Sequence, residues 1–132
     1  MKILFLCTGN ACRSPLAEAL LKKIRPDLNV DSAGFHVAIP IPKLVRDYLK
    51  AQNALDFLKN FPESIEEKKL GAYDLIVAME PRHKHAVLRK CPACEERIVV
   101  WNIEDPYFET EADAERIFAE IENRVKELAE SI

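Results

Sequence analysis

Four short apolar runs punctuate the chain: Ile3-Leu4-Phe5-Leu6, Leu28-Asn29-Val30, Leu75-Ile76-Val77-Ala78 and Ile98-Val99-Val100-Trp101. Runs of this length with little polar alternation predict strands buried on both faces. The segments between them carry apolar residues at helical spacing. Ala17, Leu20, Leu21 and Ile24 fall at i, i+3, i+4 and i+7, and Pro26 ends that helix. Asp31-Ser32-Ala33-Gly34 is expected to turn away from the sheet, and Phe35 to Pro42, broken by Pro40 and Pro42, reads as an irregular loop. Lys43 to about Lys59 is helical in pattern, as one helix or two, through Leu44, Val45, Tyr48, Leu49, Leu55 and Leu58. Ser64-Ile65-Glu66-Glu67 has the form of a capping box opening a short helix that Gly71 closes. Pro81 starts another helix, with Ala86, Val87 and Leu88 inward. Thr110 and Asp113 cap a final helix whose stripe is Ala114, Ile117, Phe118, Ile121, Val125 and Leu128. Strands that alternate with helices predict an α/β fold: a four-stranded parallel sheet with helices on both faces, in a single domain over residues 1–132. Ligands of such sheets bind beyond the carboxyl ends of the strands, where Cys7 and Asp105 both fall.

Composition narrows the setting. With 132 residues, 48% of them hydrophobic, the chain can build one core. Its formal net charge of -3 supplies no general attraction to nucleic acid or to an anionic membrane. There is no apolar run of membrane-spanning length, and Met1-Lys2-Ile3 leads into a strand rather than a signal peptide. Four cysteines in a chain able to form a core fit a reducing cytoplasm better than a secreted disulfide framework.

The candidate chemistry lies in Cys7-Thr8-Gly9-Asn10-Ala11-Cys12-Arg13-Ser14, between the first strand and the first helix. A loop curling over these residues aims backbone N–H groups at one point, and the positive end of the helix dipole adds to them. A thiol there has its thiolate favoured. Arg13 supplies a planar fork matched to two phosphate oxygens. Ser14 can cap the helix and donate towards Cys7, Gly9 permits close approach of an oxyanion, and Pro15 suits the first helical position. The nucleotide-binding pattern Gly-x4-Gly-Lys-Ser/Thr is absent.

Cys-x5-Arg-Ser directly after the first strand resembles the low-molecular-weight protein tyrosine phosphatase family, and the motif is similar also to that of the related thioredoxin-type arsenate reductases. The resemblance implies a phosphatase loop joining strand 1 to helix 1. It makes Cys7 the nucleophile, Arg13 the phosphate clamp, and Thr8, Gly9, Asn10, Ala11, Cys12 and Ser14 the substrate-binding loop, with Ser32 supporting. Asp105-Pro106-Tyr107-Phe108 matches the family's Asp-Pro-aromatic motif. By itself Asp-Pro is an ordinary turn starter. Under the resemblance Asp105 is the general acid and Tyr107 a wall of the substrate pocket, with Phe108 as easily core. The implied reaction is hydrolysis of phosphotyrosine or other aryl phosphate monoesters through a phosphocysteine, without metal or cofactor, by a protein expected to be a monomer. The family often adds a histidine to the loop's polar bracing, and no histidine here has a matching place. Cys12 can pair with Cys7 in a protective disulfide or simply pack. Cys91-Pro92-Ala93-Cys94 admits three readings: a structural pair, a redox dithiol for arsenate reduction, or zinc ligands with His83 and His85. As lone residues those two histidines would face solvent. A non-catalytic phosphate-binding module stays open as a third function.

Overall fold

The computed structural model describes residues 1–106 and 110–132. Strand β1 (Lys2–Cys7) is central, and β2 (Asn29–Gly34), β3 (Leu75–Ala78) and β4 (Ile98–Val100) lie parallel to it in the order β2-β1-β3-β4. Alternation along β1 divides the core. Ile3, Phe5 and Cys7 point to one face, against α1 (Arg13–Ile24), α2 (Lys43–Ala51) and α4 (Glu111–Ser131). Leu4 and Leu6 point to the other, with Val87 of α3 (Pro81–Lys90) and Ile65. The two-sided burial explains why β1 beyond Lys2, β3 and β4 are apolar, whereas β2 at the sheet's edge carries Asn29, Asp31 and Ser32. All of the described strands deliver their carboxyl ends to one edge, which is where the Cys7–Arg13 loop sits.

Three local expectations change. The second strand does not turn off at Asp31 but pairs with β1 through Gly34. A Cβ on Gly34 would lie 2.6 Å from the Asn10 nitrogen and 2.7 Å from the Gly9 carbonyl carbon, so only glycine lets this strand support the loop. The helical pattern of 43–59 breaks at Ala51, beyond which Asn53 takes a left-handed φ of 59° and the chain continues as a 3₁₀ turn over Leu55–Phe57. The Ser64/Glu67 capping box is present, yet it opens a 3₁₀ turn over Ile65–Glu67, and Gly71 lies inside a second one over Leu70–Ala72. Thr110 caps α4 as expected, accepting from the Asp113 N–H.

Candidate active site

β1 ends at Cys7, which is 2% exposed, and α1 begins at Arg13. Ser14 does not cap this helix. Its hydroxyl lies 2.9 Å from Cys7 Sγ and accepts from Asn10 Nδ2 at 2.8 Å. Asn10 holds the turn with φ 51°, in the left-handed region that asparagine tolerates. The same amide donates to Ser32 Oγ at 2.9 Å, and Ser32 in turn donates to Glu18 Oε1. Pro15 is the third helical residue rather than the first.

The orientation of this network is fixed from outside the loop, by the Glu63 N–H, which donates to Asn10 Oδ1 at 2.8 Å, and by a side chain with no sequence signal. Lys59, its side chain 8% exposed, donates to Asn10 Oδ1 at 2.9 Å, to the Ser32 carbonyl at 2.8 Å and to Ser32 Oγ at 3.1 Å. Its charge is met by Glu63 at 2.7 Å and Glu18 at 3.8 Å. An ammonium only donates, so the Asn10 oxygen must face Lys59 and its NH₂ must face the serines. With Asn10 donating into Ser14, the Ser14 proton is left for Cys7 Sγ. The hydroxyl so aimed is a hydrogen-bond donor to the sulfur. Lys59 thus occupies the bracing position for which no histidine could be found.

The other flank is organised by Arg13, which is 1% exposed. Its Nη1 donates to Glu80 Oε2 at 2.7 Å and to the Ile103 carbonyl at 2.8 Å, fixing the guanidinium plane. Nη2 lies 3.4 Å from Thr8 Oγ1 and 3.6 Å from Asp105 Oδ2. Burial alone would raise the Glu80 carboxyl, but hydrogen bonds from Arg82 and Arg13 hold it below the usual carboxylate range. His83, expected to face solvent, is buried. The Glu80 N–H donates to its Nδ1 at 3.1 Å, and its Nε2 meets Thr8 Oγ1 at 3.0 Å. Burial first, then the neighbouring Arg13 charge, lowers its pKa to about 4. A neutral ring accepting at Nδ1 carries its proton on Nε2, so His83 donates to Thr8. Arg82 Nη2 donates to the same hydroxyl at 2.8 Å. Glu80 and His83 follow the third strand's carboxyl end, a position that could have marked them.

Between these flanks opens a cavity of about 230 Å³. Cys7, Thr8, Gly9, Ala11, Cys12 and Arg13 form its base, Asp105 stands on one side, and His36, Ala38 and Ile39 from the irregular loop form the wall. Asn10 and Ser14 are fully buried and absent from this lining, so their side chains brace the loop instead of facing a substrate. The Cys12 thiol is pushed up to about 12 by burial, then by the nearby Cys7 and Asp105, and so stays protonated beside Cys7. Tyr107 and Phe108 lie outside the described residues.

Cys91 and Cys94 form a disulfide, with Cα atoms 5.5 Å apart. They precede the start of β4, at the opposite end of a parallel sheet from Cys7 at the end of β1. β4 begins at Ile98, level with Ile76 of β3 and Leu4 of β1, so about 10 Å of strand at ~3.3 Å per residue, and two strand spacings across the sheet, separate that level from Cys7. The Cys91 and Cys94 sulfurs are bonded to each other, while Cys7 and Cys12 are free thiols. His83 is committed to Thr8, and among the described residues no group of three or more His, Cys, Asp or Glu converges on a metal position.

A thiol under a directed hydroxyl, a buried arginine and a carboxylate across one small cavity make a site for displacement at phosphorus. The family profile "Low molecular weight phosphotyrosine protein phosphatase" matches residues 2–132, and the chain belongs to this family and is a phosphatase. Among curated relatives, the low molecular weight protein-tyrosine-phosphatase Etp of Escherichia coli K12 is 32% identical over 145 residues, covering 98% of this chain and 93% of its own. The low molecular weight protein tyrosine phosphatase of T. tengcongensis superposes with a TM-score of 0.89 at 27% identity, covering 100% of this chain and 99% of its own. The YwlE arginine phosphatase of Geobacillus stearothermophilus superposes with a TM-score of 0.86 at 25% identity, covering 98% and 91%.

Proposed function

We propose that residues 1–132 act as one catalytic domain that hydrolyses phosphotyrosine in proteins, and related aryl phosphates, in two steps at Cys7. The observation that carries this reading is the Ser14 hydroxyl, 2.9 Å from Cys7 Sγ and oriented towards it by Asn10. The thiolate attacks phosphorus in line, while Arg13 and the amides of residues 8–13 hold the equatorial oxygens. The Cys7 S–P bond forms as the bond to the phenolic oxygen breaks, and Asp105 gives its proton to that oxygen. A tyrosine leaving group has a pKa near ~10, so departure without a proton would be slow. Asp105, now ionised, takes a proton from water. That water attacks phosphorus, releasing phosphate and restoring the Cys7 thiolate.

Arg13 holds its place because Glu80 and the Ile103 carbonyl occupy both Nη1 protons. Thr8, with Arg82 and His83 donating to its oxygen, keeps its own O–H for a phosphoryl oxygen. His36, Ala38 and Ile39 offer a ring-sized, largely apolar wall, which suits an aryl group. The cytoplasm, where Cys7 and Cys12 stay reduced, is the compartment this chemistry needs. The test is hydrolysis of an aryl phosphate by reduced protein in the presence of chelator, beside Cys7→Ser and Asp105→Asn. Turnover should vanish in the first and fall about 10²–10⁴-fold in the second, with the larger losses on poor leaving groups. Full activity in Cys7→Ser would overturn the mechanism.

A further inference from the structure

A second cavity, of about 420 Å³, opens on the α3 side of the phosphate loop. Thr8 and His36 border both cavities, so one wall separates them. Its floor is the Phe35 ring stacked on the buried His83, centroids 5.3 Å apart and planes 9° from parallel. Its rim carries Arg82, Arg89 and Lys90 against the single carboxylate of Glu66. The charge is not a chance of composition. In a chain of net charge -3, α3 places Arg82, Lys84, Arg89 and Lys90 within ten residues and contains no acid.

Two rim cations already have partners: Arg82 pairs with Glu80 at 3.2 Å, and Lys90 with Glu66. Glu80 is shared with the buried Arg13, so it offsets less than a full charge on the rim. Arg89 has no acidic partner among the described residues. His83, with its pKa near 4, adds no positive charge at neutral pH. The cavity therefore presents uncompensated guanidinium beside a flat aromatic floor, one wall away from the reacting phosphoryl group.

We propose that this cavity is a second anion subsite, which takes a carboxylate or phosphoryl group borne by the substrate chain a few residues from the residue being dephosphorylated. This rests on the reading that the substrate is a phosphorylated protein. An extended chain advances ~3.3 Å per residue, so an anion within about four positions spans the shared wall. Guanidinium suits either anion through paired N–H···O bonds.

The test uses phosphotyrosine peptides with uncharged flanks, into which one glutamate is walked from four residues before to four residues after the phosphotyrosine. At the favoured position a second phosphotyrosine then replaces the glutamate. Wild-type kcat/KM should rise about three- to tenfold at one or two positions in low salt, mainly through KM, and the gain should shrink in 0.3 M salt. Arg89→Glu should erase the gain while leaving turnover of a small aryl phosphate unchanged, which also reports folding. Equal gains for both anions identify any anionic flank as the occupant, and a gain confined to the second phosphotyrosine identifies a multiply phosphorylated segment. Equilibrium binding of the same peptides to Cys7→Ser protein separates the two claims, since the affinity gain does not depend on turnover. The subsite is overturned if no position changes kcat/KM or affinity more than twofold, or if the gain survives Arg89→Glu. Absent turnover with a persisting affinity gain would sink the catalytic reading instead.

Discussion

Replacing Lys59 with methionine tests the most specific feature of this site, because it removes one charge and keeps much of the aliphatic stem. The ammonium makes three hydrogen bonds, to Asn10 Oδ1, the Ser32 carbonyl and Ser32 Oγ, and it faces Glu63 and Glu18. Hydrogen bonds to a charged group contribute about 1.5–3 kcal/mol each, but these three share one desolvated ammonium and do not add. Glu18, its side chain 3% exposed, would keep Lys22 and Ser32 as partners. The stability loss is therefore set at about 3 kcal/mol, the low end for breaking a buried pair. For a chain of this size that is a fall in Tm of roughly 10 °C. A structural strut would do that much. The distinguishing effect is on Cys7: without Lys59 the Asn10 oxygen keeps only the Glu63 N–H, 2.8 Å away, so its amide holds the Ser14 proton towards sulfur less firmly. Weakening that directed hydrogen bond by about 1–1.5 kcal/mol predicts a drop in kcat/KM of about 5–10-fold. The rate of Cys7 alkylation by iodoacetamide at fixed pH should fall alongside it. Steady-state kinetics on an aryl phosphate, run well below the variant's Tm, gives the first number. A variant that melts early yet keeps kcat/KM within threefold and alkylates at the wild-type rate would refute the reasoning.

Gly34→Ala should cost at least a hundredfold in kcat and lower Tm, because the new Cβ meets the Asn10 nitrogen and Gly9 carbonyl carbon, backbone atoms that cannot swing aside; a crystal structure with an unmoved loop would contradict this. His83 supplies a pH signature. Its folded pKa of about 4 lies below the unfolded ~6.5, so its neutral burial costs stability as pH falls through that window and nothing above it. The cost approaches about 3 kcal/mol by pH 4, and His83→Gln should flatten that part of the urea-unfolding profile; parallel profiles for the two proteins would count against it. Cys91→Ser with Cys94→Ser should leave aryl phosphate turnover unchanged and lower stability by about 1–2 kcal/mol, the expectation for a four-residue loop. A large loss of turnover would tie the disulfide to the site after all.

The scaffold was legible because it depends on local pattern. Four apolar runs, the 3.6-residue stripes between them and the caps at Ser64 and Thr110 each act within a few residues, and the sheet and its helices stand where they predict. The base of the site was legible for a similar reason: Cys7 to Ser14 is one contiguous loop. What escaped is the support that reaches this loop from far along the chain. Lys59 lies 49 residues from the asparagine it orients, Glu80 lies 67 from Arg13, and Gly34 was taken for a turn because its service as a flat platform leaves no periodic trace.

Those distant residues divide into two systems that do different physical work on one loop. On the β2 side, Lys59, Asn10 and Ser14 form a directed chain of donors ending at sulfur, with Ser32 branching from it to Glu18, so a change along it bears on how the sulfur is held. On the β3 side, Glu80, His83, Arg82 and the Ile103 carbonyl hold Arg13 and Thr8, which in the proposed mechanism bind the phosphoryl oxygens. Damage to the first should slow thiolate chemistry at an unaltered affinity for phosphate, a competitive product. Damage to the second should weaken phosphate binding while Cys7 alkylation proceeds at its normal rate. Lys59→Met and Glu80→Gln, compared by phosphate inhibition and by alkylation, should therefore fail in opposite columns. If both variants lost both properties together, the loop would be a single cooperative unit and the division into two supports would be wrong.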